Sequence, residues 1–339
     1  MSDARLNRIL DVIQEDVGCR GLRSDPLANL VTATGGDFIA ACQSLAETPH
    51  LAVGIVTGFL IPHAKPPRAE TDGPLGAVFL SRALVALGAR VVLASDAFCV
   101  QALVAGLTAC DLVKQVAIVT LPTYVAAKPL SPAEYWRAFA SEAGELTHLI
   151  ALERAGPSHT LASIARQSGN SAELIERFSA DVPEARWDRY YTMRGHDVTD
   201  RMSLAHRLFE GESRPGVAIT TIGIGDGGNE IGMGRIPWDV IRRNIPSGSL
   251  VACRVPTDHL IVCGISNWGA YGLAAGTRIL RGLPLDSNLF DPDREGVLLQ
   301  LMVSRGPLVD GATGQASPTV DGLPFDRYVE PLRRLRAMF

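Results

Sequence analysis

The residues with the clearest chemical potential form one glycine-rich segment, "TIGIGDGGNEIGMG", at positions 221–234. Six glycines surround Asp226, Asn229 and Glu230, so the segment is too glycine-rich for a helix and too polar for a core strand. Glycines let the backbone adopt left-handed angles and approach a ligand, and the carboxylates offer hard oxygen ligands or a base. We expect Asp226 and Glu230 to bind Mg²⁺ or Mn²⁺ and Asn229 to orient one group. A structural turn with a capped helix is the alternative.

The same segment also matches G-x-G-x-x-G, the spacing that binds dinucleotides, at Gly223, Gly225 and Gly228. Asp226 and Asn229 are poor residues for the start of a tightly packed dinucleotide-binding helix. No acidic residue lies at a strand end about 20 residues further on, where ribose binding requires one. We therefore expect no nicotinamide cofactor, and no pyridoxal phosphate (PLP) either.

Two further polar segments follow predicted strands. Glu70, Thr71 and Asp72 precede a helix whose N-terminus favours an anion, although Thr71 or Asp72 could simply cap that helix. Glu153 and Arg154 stand at another strand end, where the arginine suits a carboxylate clamp and a surface ion pair is the alternative. In parallel α/β sheets, ligands bind beyond such strand ends.

Three other segments carry candidate functional groups. Arg194, His196 and Asp197 surround one glycine, and a histidine beside carboxylates can move protons near neutral pH, unless it is structural. Ser266 and Asn267 stand at a strand-to-helix junction, where a helix cap and a ligand contact are both possible; the pattern is not G-x-S-x-G, which disfavours a hydrolase nucleophile. Residues 308–322 form a polar loop that could be a lid or a plain turn.

Short apolar strands alternate with helices along most of the chain. The predicted strands are 51–58, 90–95, 115–120, 147–153, 216–225, 250–255 and 259–266. Near-continuous apolar strands of this kind indicate a parallel sheet that is covered on both faces. The sequence therefore predicts an α/β fold with a mostly parallel sheet and helices on both faces. We expect a single domain over 1–339, with a helical insertion or cap at about 157–215.

Composition narrows the class of protein. The chain has 339 residues, of which 47% are hydrophobic, and a net charge of −4 with scattered basic residues, so neither nucleic acid nor a membrane is an expected partner. Six separated cysteines without a CxxC motif, and an acidic N-terminal helix in place of a signal peptide, favour a reduced, cytoplasmic protein without structural zinc. A small acidic molecule is the expected partner, and the sequence leaves open whether the chain forms a homo-oligomer.

Five of these segments together carry a resemblance to a known family. "ETDGPLGA", "ERAGP", "MRGHDVT", "GIGDGGNEIGMG" and "CGISNWGAYGL", in this order, resemble the D-glutamate cyclase family from about residue 50 to about 320. The resemblance implies a lyase, specifically a hydro-lyase of D-amino acid metabolism, that closes D-glutamate to 5-oxo-D-proline with loss of water. It also implies an activity linked to Mg²⁺ or Mn²⁺.

The candidate residues could divide the catalytic tasks of such a ring closure among them. We hypothesise that Asp226 and Glu230, with Asp72 or Glu70, hold a cation that polarises the γ-carboxylate. His196, oriented by Asp197, would move a proton from the amine to the leaving oxygen. Arg194 or Arg154 would clamp the α-carboxylate, and the N–H groups of Gly227 and Gly228 would stabilise the oxyanion. The expected substrate contacts are Thr71, Asp72, Gly73, Arg154, Arg194, Gly227, Gly228, Asn229, Ser266 and Asn267.

Two other functions remain compatible with the same residues. One is metal-assisted hydrolysis of a lactam, a phosphate ester or a related small acidic substrate at the acidic loop. The other is a protein that binds an acidic amino acid without catalysis, which needs the arginine and the helix ends but no proton transfer.

Overall fold

A six-stranded parallel sheet forms the centre of the computed structural model, which describes residues 2–167, 169–214 and 216–338. Its strands run in the order β5-β4-β1-β6-β7-β8, and all five pairings are parallel. A two-stranded antiparallel hairpin, β2–β3, lies apart from the sheet. The strands are β1 (Ala52–Thr57), β2 (Leu60–Ile61), β3 (Arg68–Ala69), β4 (Arg90–Ser95), β5 (Ala117–Thr120), β6 (His148–Leu152), β7 (Thr220–Gly225) and β8 (His259–Val262).

Helices connect the strands and cover the sheet. They are α1 (Ser2–Ile13), α2 (Asp37–Glu47), α3 (Pro74–Val85), α4 (Ala97–Ala109), α5 (Tyr124–Ala127), α6 (Pro132–Ala143), α7 (Leu161–Gln167), α8 (Ala172–Asp181), α9 (Trp238–Asn244), α10 (Gly248–Val251), α11 (Ser266–Leu280), α12 (Pro292–Arg305), α13 (Phe325–Tyr328) and α14 (Glu330–Ala337). Between β6 and β7 the described residues form α7, α8 and 3₁₀ turns, and no strand of either sheet.

Alternating strand residues build two cores, one on each face of the sheet. Val53 and Ile55 of β1 face a core that also contains residues of α1–α4, α11, α12 and α14. Val56 faces the other core, with residues of α6, α8 and α9. Because both faces of the central strands are buried, their middle residues are apolar, whereas polar residues such as Thr57, Arg90 and His148 stand at the strand ends. The predicted α/β class, with a parallel sheet and helices on both faces, is confirmed.

One predicted strand is wrong. Residues 250–255 were expected to be extended, but α10 covers Gly248–Val251 and only Cys253 makes an isolated bridge, to Ser158. Ala252, Cys253 and Val255 pack in the second core. A short apolar run can be buried in a helical turn and a loop as well as in a strand, so its composition did not distinguish them.

The strand order creates a crevice at the carboxyl edge of the sheet. From β1 the chain proceeds outward to β4 and β5, then returns to the other side of β1 for β6, β7 and β8. The connections that leave β1 and β6 therefore diverge at this edge, which is where ligands bind in open α/β sheets. The carboxyl ends of β1, β6 and β7 thus bring their following loops together.

Candidate active site

Six carboxylates from four separate segments meet at this edge. Glu70 and Asp72 lie between β3 and α3, and Glu153 directly follows β6. The others are Asp226 and Glu230, which follow β7, and Asp321, from the loop before α13. Two sets of three have oxygens within 4.8 Å of one another: Asp72, Asp226 and Asp321; and Glu153, Asp226 and Glu230. We call these six residues the acidic cluster, and Asp226 is its centre because it belongs to both sets.

The glycine-rich loop is folded around the carboxylate of Glu230. Its Oε1 accepts a hydrogen bond from the N–H of Asp226 (3.1 Å), and its Oε2 accepts one from the N–H of Gly228 (2.8 Å). The loop then returns against β7, where a Cβ on Gly223 would lie 2.8 Å from the Cα of Gly232. Bare backbone is therefore required at this contact, and Glu230 organises the loop rather than facing the cavity described below.

The segment after β7 does not form the helix that dinucleotide binding requires. Residues 226–237 consist of turns and isolated bridges, and α9 begins only at Trp238. The G-x-G-x-x-G spacing is therefore not followed by a helix N-terminus that could bind a pyrophosphate.

Asp72 and Asn267 cap each other's helices. The carboxylate of Asp72 accepts hydrogen bonds from the N–H groups of Ser266 (2.9 Å) and Asn267 (2.8 Å) at the start of α11. In return, Oδ1 of Asn267 accepts from the N–H groups of Gly73 (2.9 Å) and Gly76 (2.7 Å) at the start of α3. These bonds satisfy N–H groups that a helix start leaves free, so the two helix ends are fixed beside the cluster.

The remaining predicted contacts in this region also bind protein groups. The hydroxyl of Thr71 donates to the carbonyl of Thr319 (2.8 Å), and the hydroxyl of Ser266 donates to Oε2 of Glu153 (2.5 Å). Asn229 donates from its side-chain amide to the carbonyl of Tyr191 (2.8 Å). These residues therefore position the carboxylates and the loops around them.

The two candidate arginines occupy different environments. Arg154 is fully buried, forms an ion pair with Asp96 and donates to the carbonyl of Gly58 (2.9 Å) and the hydroxyl of Ser203 (2.8 Å). Arg194 is exposed, and its guanidinium donates to the carbonyl of Ala312 (3.0 Å). Arg154 thus joins two strand ends to the segment before β7, whereas Arg194 is accessible to a ligand.

His196 is exposed, and Asp197 is engaged elsewhere. The carboxylate of Asp197 accepts hydrogen bonds from the backbone N–H of Thr199 (2.9 Å) and from its hydroxyl (2.6 Å). Among the described residues, no hydrogen bond joins this carboxylate to the His196 ring. Asp197 therefore holds a 3₁₀ turn rather than orienting the histidine.

A cavity of about 390 Å³ opens onto the acidic cluster. This volume lies within the usual range for small-molecule sites. Its lining includes the acidic residues Glu70, Glu153 and Asp321 and the basic residues Arg20, His63, Arg194 and His196. The cavity therefore offers both acidic and basic groups to a small zwitterion.

Arg20 is a residue of this site that no sequence pattern indicated. It lies between α1 and α2, and its guanidinium forms ion pairs with Asp226 and with Asp321 (Nη2 to Oδ2, 2.7 Å). Asp226 is 206 positions away in the chain, and no local pattern around Arg20 marks this contact. Carboxylates that are buried together need a positively charged partner, and this general rule was the one indication that such a residue exists.

Burial sets the proton affinity of the cluster. It raises the pKa of Glu70, Glu153 and Asp226 well above the ordinary range, and neighbouring carboxylates add to the effect. Burial, and then the charge of Asp321, raise the pKa of Asp72 to about 7, although the N–H groups of Asn267 and Ser266 oppose this. At neutral pH the cluster must therefore retain protons or gain positive charge.

The oxygen atoms of the cluster suit a divalent cation. Oδ2 of Asp226 is buried and accepts no hydrogen bond from any described residue. Carboxylate oxygens this close are the hard ligands that Mg²⁺ and Mn²⁺ prefer. Glu70, a predicted metal ligand, lies outside both sets of three but lines the cavity.

Comparison with known proteins identifies the family. Residues 9–168 and 174–336 match the family model described as D-glutamate cyclase-like, C-terminal. The chain belongs to this family. A human protein named D-glutamate cyclase, mitochondrial, is 30% identical to it over 328 residues, covering 86% of this chain and 46% of the human protein. The chain thus spans about half the length of this D-glutamate cyclase.

The cellular location of this chain stays a prediction. The name of the human relative places that protein in mitochondria, whereas the cysteine pattern and the acidic N-terminal helix of this chain predict a cytoplasmic protein. Within the described residues, none of the helices has the length and apolar character needed to span a bilayer. All six cysteines are free thiols.

Proposed function

We propose that this chain is a hydro-lyase that converts D-glutamate into 5-oxo-D-proline and water. The observation that carries the proposal is the cavity, which is lined both by members of the acidic cluster and by basic side chains. Membership of the D-glutamate cyclase-like family supports the reaction class.

Charge complementarity gives the substrate one orientation. The α-carboxylate would bind Arg194, whose planar guanidinium can donate two parallel hydrogen bonds to it. Arg154 is unsuited to this role because Asp96 and Ser203 already occupy it in the core. The amino group would then face the acidic cluster, and the position of the γ-carboxylate, as a third contact, would select the D configuration.

Ring closure requires balanced bond and proton changes. The amine nitrogen forms a bond to the γ-carboxyl carbon, and one carbon–oxygen bond of that carboxylate breaks. Two protons leave the ammonium nitrogen, and both reach the departing oxygen, so water is released with no net change in protons. A proton carrier beside the nitrogen is therefore needed.

Glu153 is the side chain best placed to carry the proton. Its carboxyl group lines the cavity, and the hydroxyl of Ser266 holds its Oε2 at 2.5 Å. Its φ of +45° is unusual for a residue with a side chain, and such strain is common at functional sites. His196 stays a second candidate because it also lines the cavity.

The γ-carboxylate needs positive charge where it meets the acidic cluster. The set Asp72, Asp226 and Asp321 would hold the divalent cation, because a guanidinium already binds two of its members. Mg²⁺ or Mn²⁺ supplies Lewis-acid polarisation of a carboxylate when bound. A substrate held with its amine at Glu153 and its γ-carboxylate at the cation would have its two reacting groups close together.

A chiral assay tests the proposal. Purified protein would be incubated with D-glutamate, L-glutamate or 5-oxo-D-proline, with and without Mg²⁺ or Mn²⁺. We expect 5-oxo-D-proline to form from D-glutamate much faster than its enantiomer forms from L-glutamate, because spontaneous cyclisation has no stereochemical preference. If the protein opens the ring of 5-oxo-D-proline but does not close D-glutamate, the reaction runs in the hydrolytic direction. Tight D-glutamate binding without product over hours would replace the proposal with a binding function.

A further inference from the structure

Arg20 places a positive charge at the proposed cation site. Its guanidinium pairs with Asp226 and Asp321, which are two of the three members of one carboxylate set. The third member, Asp72, also contributes to the negative field around it. A positively charged side chain of the protein therefore already occupies the position where a divalent ion would bind.

The segment that carries Arg20 is anchored by its backbone. The carboxylate of Asp16 accepts hydrogen bonds from the N–H groups of Arg20 (2.8 Å), Gly21 (2.9 Å) and Leu22 (3.0 Å). The Arg20 side chain is 21% exposed and lines the cavity, as do Gly18 and Cys19. Rotation of the long side chain can therefore move the guanidinium into the cavity while the backbone stays fixed.

A guanidinium and a divalent ion need the same oxygen atoms. Nη2 of Arg20 is 2.7 Å from Oδ2 of Asp321, and Nη1 contacts Oδ1 of Asp226. An ion that coordinates these carboxylates directly would approach them at about 2.0–2.6 Å. Two cations that contact the same oxygen atoms lie close to each other, and they repel each other strongly in a buried site.

We propose that Arg20 is an internal cation that competes with a divalent ion for Asp226 and Asp321. Ion binding then requires the guanidinium to leave these carboxylates, and Arg20 determines how tightly the site binds metal. This inference rests on the cation site of the proposed function. It extends that function by naming the residue that sets the ion affinity.

Mn²⁺ titration by calorimetry tests the competition directly. Arg20→Gln should bind Mn²⁺ at least about tenfold more tightly than the wild type, a change of about 1.4 kcal/mol. Arg20→Lys keeps the charge and should stay within about threefold of the wild type. Arg23→Gln is the matched control, because Arg23 donates to Gln14 and lies outside the cavity lining.

Thermal unfolding supplies a second readout. Without Mn²⁺, Arg20→Gln should melt below the wild type, because Asp226 and Asp321 lose their counter-ion. Mn²⁺ should remove that difference. Equal Mn²⁺ affinity in Arg20→Gln and the wild type would overturn the competition but leave the proposed cation site intact. Failure of every variant to bind Mn²⁺ would instead overturn the cation site itself.

The wild-type protein carries its own reporter, which decides the question if Arg20→Gln does not fold. Cys19 precedes Arg20 and is exposed, whereas Cys110 is half-buried and the other four cysteines are buried. Saturating Mn²⁺ should change the rate of Cys19 modification by a disulfide reagent severalfold, as the neighbouring side chain moves. Asp226→Asn should show no such change, and an unchanged wild-type rate at saturation would overturn the proposal.

Discussion

Asp226 is the side chain on which the proposed chemistry depends most. It joins both carboxylate sets, pairs with Arg20 and keeps one oxygen free of hydrogen bonds from the described chain. Asp226→Asn has nearly the same shape, so we expect a folded protein whose Mn²⁺ affinity falls at least about tenfold. Turnover of D-glutamate should fall by about 100-fold, because a charge that acts at the reacting group is lost.

Asp326→Asn is the matched control for this prediction. Its side chain is 89% exposed on α13, so the same chemical change should leave both Mn²⁺ binding and turnover unaltered. Calorimetry and the chiral assay measure the two quantities. Wild-type values for Asp226→Asn would show that the acidic cluster is structural.

The two arginines should respond oppositely to substitution. Arg194→Gln should raise KM for D-glutamate about tenfold with little change in melting temperature, because it removes an exposed carboxylate ligand. Arg154→Gln should lower the free energy of unfolding by about 3–5 kcal/mol, because Asp96 would remain buried without its partner. Steady-state kinetics and urea unfolding separate these effects, and the reverse pattern would exchange the two roles.

At the scale of elements, the caps shared by α3 and α11 hold the site together. Asn267→Ala would leave the buried N–H of Gly76 without its acceptor, and the N–H of Gly73 with only Oδ1 of Asp72 (3.0 Å). We expect a loss of about 1–3 kcal/mol in the free energy of unfolding. Asn288→Ala is the control, because that residue is exposed and its side chain accepts from Arg294. Equal stability losses in both variants would show that the cap contributes nothing specific.

The elements differ in how far sequence could predict them. The apolar strands and the glycine-rich loop were predictable because their signals are local. The hydrogen bond from Asn267 to Asp72 spans 195 positions, and the Arg20–Asp226 pair spans 206. Such partners depend on the order of strands in the sheet, which a periodic pattern does not contain. Arg154 shows the same limit, since a strand-end arginine can face either a ligand or the core.

At the scale of the whole molecule, buried acids should make stability depend on pH. Burial raises the pKa of Glu295 to about 7, although its hydrogen bond from Tyr271 opposes this, and the pKa of Asp72 is also raised to about 7. Unfolded carboxyl groups titrate near pH 4, so the folded state binds more protons between about pH 4 and pH 7. The contribution of these carboxyl groups to the free energy of unfolding should therefore fall as pH rises through this window.

Urea unfolding from pH 5 to pH 8 measures this dependence. Titration of Glu295 alone should lower the free energy of unfolding by about 3 kcal/mol as pH rises. Glu295→Gln should remove this contribution. Mn²⁺ should reduce the part of this pH dependence of the free energy of unfolding that comes from the acidic cluster. Buried His148, His159 and His206 act in the opposite direction, because burial lowers their pKa values. The comparison of the wild type with Glu295→Gln is therefore the test, and the same pH dependence in both proteins would contradict the charge state that burial imposes on Glu295.

A crystal soaked with Mn²⁺ and D-glutamate gives the most direct measurement of the central claim, that a cation and a zwitterionic substrate share the cavity at the carboxyl edge of the sheet. The account predicts an anomalous manganese peak at Asp226, the substrate amine toward Glu153 and its α-carboxylate on Arg194. Manganese or D-glutamate bound only outside this cavity would contradict the account, as would a substrate whose amine faces Arg194.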